Sequence, residues 1–154
     1  MRRTHTIQCF LQREGGSALV ELALLLPIFM VLIYAAVDFG RAYYMAQEVA
    51  SAAHAGAEYG SQNPTDTAGM QAAAQIAAPD VPGLSISTPT YGCECANGSS
   101  YSASCYSTPT CTGNNPVYLV SVTASVSFTP WIRYPGIPNP ILISTTSKMR
   151  SVKN

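Results

Sequence analysis

Charge is what this sequence has least of. Asp, Glu, Lys and Arg make up 10% of its 154 residues, against roughly a quarter in an ordinary soluble domain. Eight basic and eight acidic residues cancel to a formal net charge of zero, so nothing points to a nucleic-acid surface. Histidine is scarce as well, and His5 and His54 stand far apart in the chain. Beyond Val37 there is one histidine, no nucleophile signature and no phosphate-binding glycine loop. An enzyme is therefore not expected, and neither is a cofactor or a metal. Apart from Cys9, cysteine is confined to four positions between Cys93 and Cys111. That clustering points to an oxidising compartment for this part of the chain.

What the sequence has in quantity is apolar residues, 47% of the total. Ala18 to Val37 forms a run of 20 residues with a single charge, Glu21. As a helix rising about 1.5 Å per residue it spans roughly 30 Å, the thickness of a bilayer core. A carboxylate costs about 2.5–3.5 kcal/mol at the centre of such a helix and less near an interface, so Glu21 needs a reason to be there. Arg2, Arg3 and Arg13 precede the run, whereas Asp38 and Arg41 follow it and cancel. By the positive-inside rule the N-terminus stays in the cytoplasm and everything beyond Val37 is exported. A secretory signal peptide fits less well. Its leading region would be too long, its apolar stretch exceeds the usual 7–15 residues, and Ala35-Ala36-Val37 is a poor cleavage site.

Residues 1–16 read as a cytoplasmic leader ending on Gly15 and Gly16, which suit an extended, accessible backbone. Helical patterning runs on past the apolar run, giving one helix over about 17–60, on the order of 65 Å long. Asp38 and Arg41, three residues apart, share a face and can form an ion pair at the outer membrane interface. Tyr34, Tyr43 and Tyr44 flank that level as an aromatic belt. Ala46/Ala50, Ala53/Ala57 and Gly56/Gly60 repeat small residues at four-residue spacing, which permits close helix packing. Gly60 through Pro64 ends the helix.

Residues 61–154 read as an exported α+β domain. A short helix over 66–78 is capped by Thr65 or Asp66 and closed by Pro79, with Met70, Ala73, Ala74, Ala77 and Ala78 on its apolar face. Leu84 and Ile86 alternate with serines. Tyr118, Val120, Val122, Ala124, Val126 and Phe128 alternate with polar residues as one long strand with a buried face. Ile141 and Ile143 begin a last strand. The Pro-rich segment 130–140 is a connection, in which Trp131 and Tyr134 are expected to cap the core. The whole is α+β: a long membrane helix and exported stem, then a short helix and a small antiparallel β domain with a disulfide loop.

Cys93, Cys95, Cys105 and Cys111 enclose a Gly/Ser/Asn-rich stretch with few large apolar residues, where disulfides supply order that burial cannot. A Cys93–Cys95 bridge strains its ring. This leaves Cys93–Cys111 with Cys95–Cys105, or the crossed arrangement. A zinc site is disfavoured because the single-residue first spacing departs from C-x₂₋₄-C.

Gly16, then four residues, then Glu21 and an unbroken apolar helix resembles a type IV prepilin signal. The resemblance implies a membrane prepilin peptidase that cuts between Gly16 and Ser17, making Glu21 the fifth mature residue. Ser17 stands where major pilins commonly carry phenylalanine. Residues 18–27 (ALVELALLLP), Asp38-Phe39-Gly40-Arg41, and the Ala52–Tyr59 segment together are similar to the TadE-like family, pseudopilins of the tight-adherence pilus system. The C-terminal segment 145–150 is similar as well. The family's post-membrane pattern is richer in basic residues near His54 and Glu58.

The resemblance implies a minor pseudopilin, single-pass in the bacterial cytoplasmic membrane. Its partners would be the prepilin peptidase, other pilins and pseudopilins, inner-membrane pilus assembly proteins and membrane lipid. On physical grounds, cleavage before Ser17 creates an amino group that Glu21 of a neighbouring subunit can neutralise. The alternative leaves Glu21 snorkelling or protonated at the interface. A second functional reading, a bitopic envelope protein with a disulfide-stabilised binding domain outside any pilus, fits the same hydropathy.

Overall fold

The computed structural model describes residues 15–98, 101–102, 111 and 116–151. The leader positions Arg2, Arg3, Cys9 and Arg13, and also Cys105, lie outside the described residues. The architecture is α+β. Helix α1 (Gly15–Gln62) is continuous over 48 residues and holds Pro27 within it. Helix α2 (Thr67–Ala77) follows. The strands are β1 (Ser85–Ile86), β2 (Thr90–Cys95), β3 (Tyr101–Ser102), β4 (Pro116–Phe128) and β5 (Ile141–Arg150).

Gly15 and Gly16 open α1 and are not extended as their composition suggests. Helix propagation adds a hydrogen bond for each residue fixed, so a long apolar helix carries its first turn along even through glycine.

The chain divides into two compact units, the first ending at Phe39 and the second beginning at Gly40. In the first, α1 is long and apolar enough to cross a membrane, and no part of its most apolar window is buried. Leu24 is 68% exposed, and Phe29, Val31 and Ile33 are similarly open. A core helix of a soluble protein hides such side chains; this one presents them all round, as a lipid-facing helix does. Pro27 is compatible with that setting, because membrane helices tolerate proline.

In the second unit a small antiparallel sheet is built around β4. β5 pairs with it from Leu119↔Arg150 to Phe128↔Ile141. On the opposite edge β2 pairs with the first part of β4, from Cys95↔Pro116 to Thr90↔Ser121. β1 follows on the same edge at Ser85↔Ser125 and Ile86↔Ala124, and β3 extends the sheet beyond β2. The alternation read from the sequence decides which face of β4 is buried. Val120, Val122, Ala124, Val126 and Phe128 point inward, and on the outer face Thr123 and Thr146 share a hydroxyl hydrogen bond of 2.7 Å.

The buried face packs on the last turns of α1 and on α2. Val49, Ala52, Ala53, Ala74, Ala124 and Val126 form one cluster, and Ala57, Met70, Val120 and Val122 form another. The four-residue spacing of small residues thus serves close packing inside the subunit. A Cβ at Gly56 would come within 3.0 Å of both the Met70 carbonyl oxygen and Val122 Cγ1.

Asp66 is the N-cap of α2, accepting from the Gly69 amide at 2.9 Å. It also accepts from the Tyr59 hydroxyl at 2.8 Å, which ties α2 to α1. These two donors, the Gly69 amide first, hold the Asp66 carboxyl below its ordinary value. A group depressed in the folded state stabilises above its unfolded pKa, and that contribution is lost as pH falls through the folded value. Acidification below the ordinary carboxylate range is therefore expected to lower the protection of the Gly69 amide relative to its intrinsic exchange rate, and Asp66→Ala to do so at neutral pH. Unchanged protection of Gly69 in the variant would remove the latch.

A second expectation is corrected here. Trp131 does not cap the core but is 65% exposed. The alternation of β4 runs on past Phe128, with Thr129 outward and Pro130 inward, so Trp131 falls on the outer side. The first two of the clustered cysteines, Cys93 and Cys95, stand on strand β2.

Candidate functional site

The sequence-derived site residues fall in three places, the first two on helix α1. At its start, Gly16 lies in the first turn of α1, exposed, with nothing within 4 Å of where a side chain would project. The Gly16–Ser17 peptide is thus part of the helix. Glu21 follows one turn after Ser17 and is also exposed. At i and i+4 these two positions share one helical face.

The second place is where the two units meet in sequence. Asp38 is buried, at 2% exposure, and Arg41 is half-buried three residues later on the same helix. The Arg41 guanidinium lies over the Trp131 ring at 4.3 Å from its centroid and over the Phe128 ring at 5.5 Å. Stacking of this kind is worth about 0.5–1 kcal/mol at exposed sites and more when desolvated. Sequence reasoning gave Arg41 an acidic partner and missed both rings. The available signal was an exposed-side tryptophan in a connection where proline forbids a strand. Nearby, the charge of Glu48, one turn after Tyr44, is the largest cause holding the Tyr44 phenol above its ordinary pKa.

The third place is the cysteine segment. Cys95 is bonded to Cys111, with Cα atoms 5.5 Å apart and a sequence separation of 16. This bond rules out the arrangement that joins Cys93 to Cys111. Cys93 is disulfide-bonded as well. Both Cys93 and Cys95 are buried. Side chains two apart on a strand share a face, so a Cys-x-Cys pair serves β2 as its apolar stripe while anchoring the following segment. Closing a loop of this length contributes about 3 kcal/mol in the chain-entropy account. Cys95→Ser with Cys111→Ser is expected to lower the stability of the second unit by about that amount. Equal denaturation midpoints for the oxidised wild type and this variant would remove the disulfide as a stabilising element.

These features define a class first: a chain with one lipid-compatible N-terminal helix that runs without a break into the core of a small disulfide-bonded α+β unit. The comparison with known families is specific about the helix. Residues 16–58 match the family described as TadE-like protein, the family that the sequence motifs resemble. The match begins at Gly16 and ends within the last turns of α1. No curated protein and no solved structure matches the chain.

Proposed function

We propose that this protein is a minor pseudopilin, a structural and assembly component of a bacterial tight-adherence pilus, with no catalytic role of its own. It is processed by a prepilin peptidase between Gly16 and Ser17, and its second unit is exported. The observation that carries this reading is the extent of the TadE-like match, residues 16–58. It starts at the proposed scissile glycine and follows α1 through the apolar run to the stem. The exposed apolar surface of Ala18–Val37 supports a membrane location before assembly. Asp38 and Arg41 would lie at the outer interface, where an ion pair between them lowers the cost of ending the span.

The test is the N-terminus of the mature protein. Expressed with a prepilin peptidase, the wild type is expected to begin at Ser17, and Gly16→Glu to keep its leader. A wild-type protein that retains the leader in the presence of active peptidase would overturn the proposal and favour the bitopic envelope protein.

A further inference from the structure

Beyond Tyr44, the large apolar side chains exposed among the described residues are Ile76, Trp131, Ile132, Ile137 and Leu142. Four of these five fall in the connection between β4 and β5 or at its exit. Their concentration at one end of the sheet asks for an occupant. We propose that this connection is a second membrane contact: a wedge that inserts Trp131, Ile132 and Ile137 at the headgroup–acyl boundary of the leaflet from which α1 emerges. The proposal rests on the membrane location argued above.

Chain length supplies the argument. Arg41 stands four residues beyond Val37, about 6 Å along a helix and at most about 14 Å in any conformation. The Trp131 ring lies 4.3 Å from the Arg41 guanidinium. Whatever angle the two units adopt, chain, side chain and contact together tether Trp131 within about 25 Å of the end of the apolar run. The composition fits that level. Tryptophan and tyrosine collect at the membrane–water interface, and the exposed Arg133 suits lipid phosphate. Pro130, Pro135, Pro138 and Pro140 keep the connection out of the sheet. Gly136, at φ +84°, turns the connection just before Ile137, whose amide donates to the Tyr134 carbonyl at 3.2 Å. Proline limits the backbone freedom of the free loop, which lowers the entropy lost when it inserts.

Trp131 is the single tryptophan of the chain, so the intact protein carries its own probe. The full-length protein is reconstituted in phosphatidylcholine–phosphatidylglycerol vesicles whose acyl chains carry bromine either near the headgroup or near the terminal methyl. Flotation with the vesicles is measured on the same sample. An interfacial tryptophan, about 5–10 Å deep, is expected to lose about twofold of its emission to the shallow bromine and much less to the deep one. Ile132→Ser with Ile137→Ser is expected to reduce that quenching and to open Trp131 to aqueous acrylamide. Protein that floats while neither bromine quenches it overturns the wedge and leaves the span intact. Shielding from acrylamide without quenching by bromolipid also overturns it, and assigns the loop to a protein contact. Protein that does not float overturns the membrane location and the wedge together.

Discussion

Replacing Gly60 with leucine is expected to unfold the second unit, whereas Gly40→Ala leaves it intact. A Cβ at Gly60 would lie 2.6 Å from Val120 Cγ1 and 2.8 Å from Met70 Sδ. The methionine can yield by changing rotamer. Val120 cannot, because it is branched at Cβ and fully buried on β4, the strand that pairs with three others. Relief must come from moving α1 off the sheet, and that opens the cluster formed by Ala57, Met70, Val120 and Val122.

Overpacking by one methyl costs about 1–3 kcal/mol. The helix propensity gained in going from glycine to alanine returns about 1 kcal/mol of that. Leucine adds three further carbons to a space that has no room for the first, so a loss of about 4 kcal/mol or more is expected, a large share of a small domain's stability. Gly40 has nothing within 4 Å of its Cβ position, so alanine there gains propensity at no steric cost. Urea denaturation in detergent, followed by Trp131 emission, distinguishes the two. A Gly60→Leu midpoint equal to wild type would overturn the close packing of α1 on β4.

That packing was legible in part. The small residues at four-residue intervals announced a close approach, and the period-two run from Tyr118 to Phe128 announced the sheet that receives it. Their meeting was not legible, because a run of alanine and glycine reads equally as propensity, as a helix-pairing seam between subunits, or as a seat for a strand. β2 was hidden for a related reason. Its buried positions are cysteines, and a Cys-x-Cys pair is read as a bridge framework before it is read as the apolar stripe of a strand. At the N-terminal end the sequence carried more. The cost of a carboxylate inside an apolar run singled out Glu21, and the resemblance to a prepilin signal pointed to Gly16 and Ser17. The Arg41–Trp131 stack lay beyond sequence reasoning, because 90 residues separate the partners and the turn that aims the ring depends on how β4 ends.

The second large effect is expected from Glu21→Ala. The variant should insert in the membrane as well as wild type or better, since removing a carboxylate from an apolar helix lowers the cost of insertion. Assembly should fail all the same. In the proposed pilus the cleaved Ser17 amine of one subunit lies against Glu21 of a neighbour, away from water. Removing one partner of such a desolvated pair costs about 3–5 kcal/mol, which corresponds to a loss of about 10²-fold or more in association. Glu21→Gln should fail nearly as badly, because it keeps the shape and removes the charge, and that result separates pairing from packing. Ser17 and Glu21 share a helical face in one chain, so a bond within the subunit is the competing arrangement. Mixed expression distinguishes them. A pair between subunits lets wild-type protein recruit some variant, whose own amine still finds a neighbour's carboxylate, whereas a pair within the subunit leaves the variant outside in any mixture. The measurement is the amount of tagged protein in the assembled pilus fraction against the amount in the membrane. Wild-type recovery of Glu21→Ala from that fraction would leave the carboxylate without an assembly role.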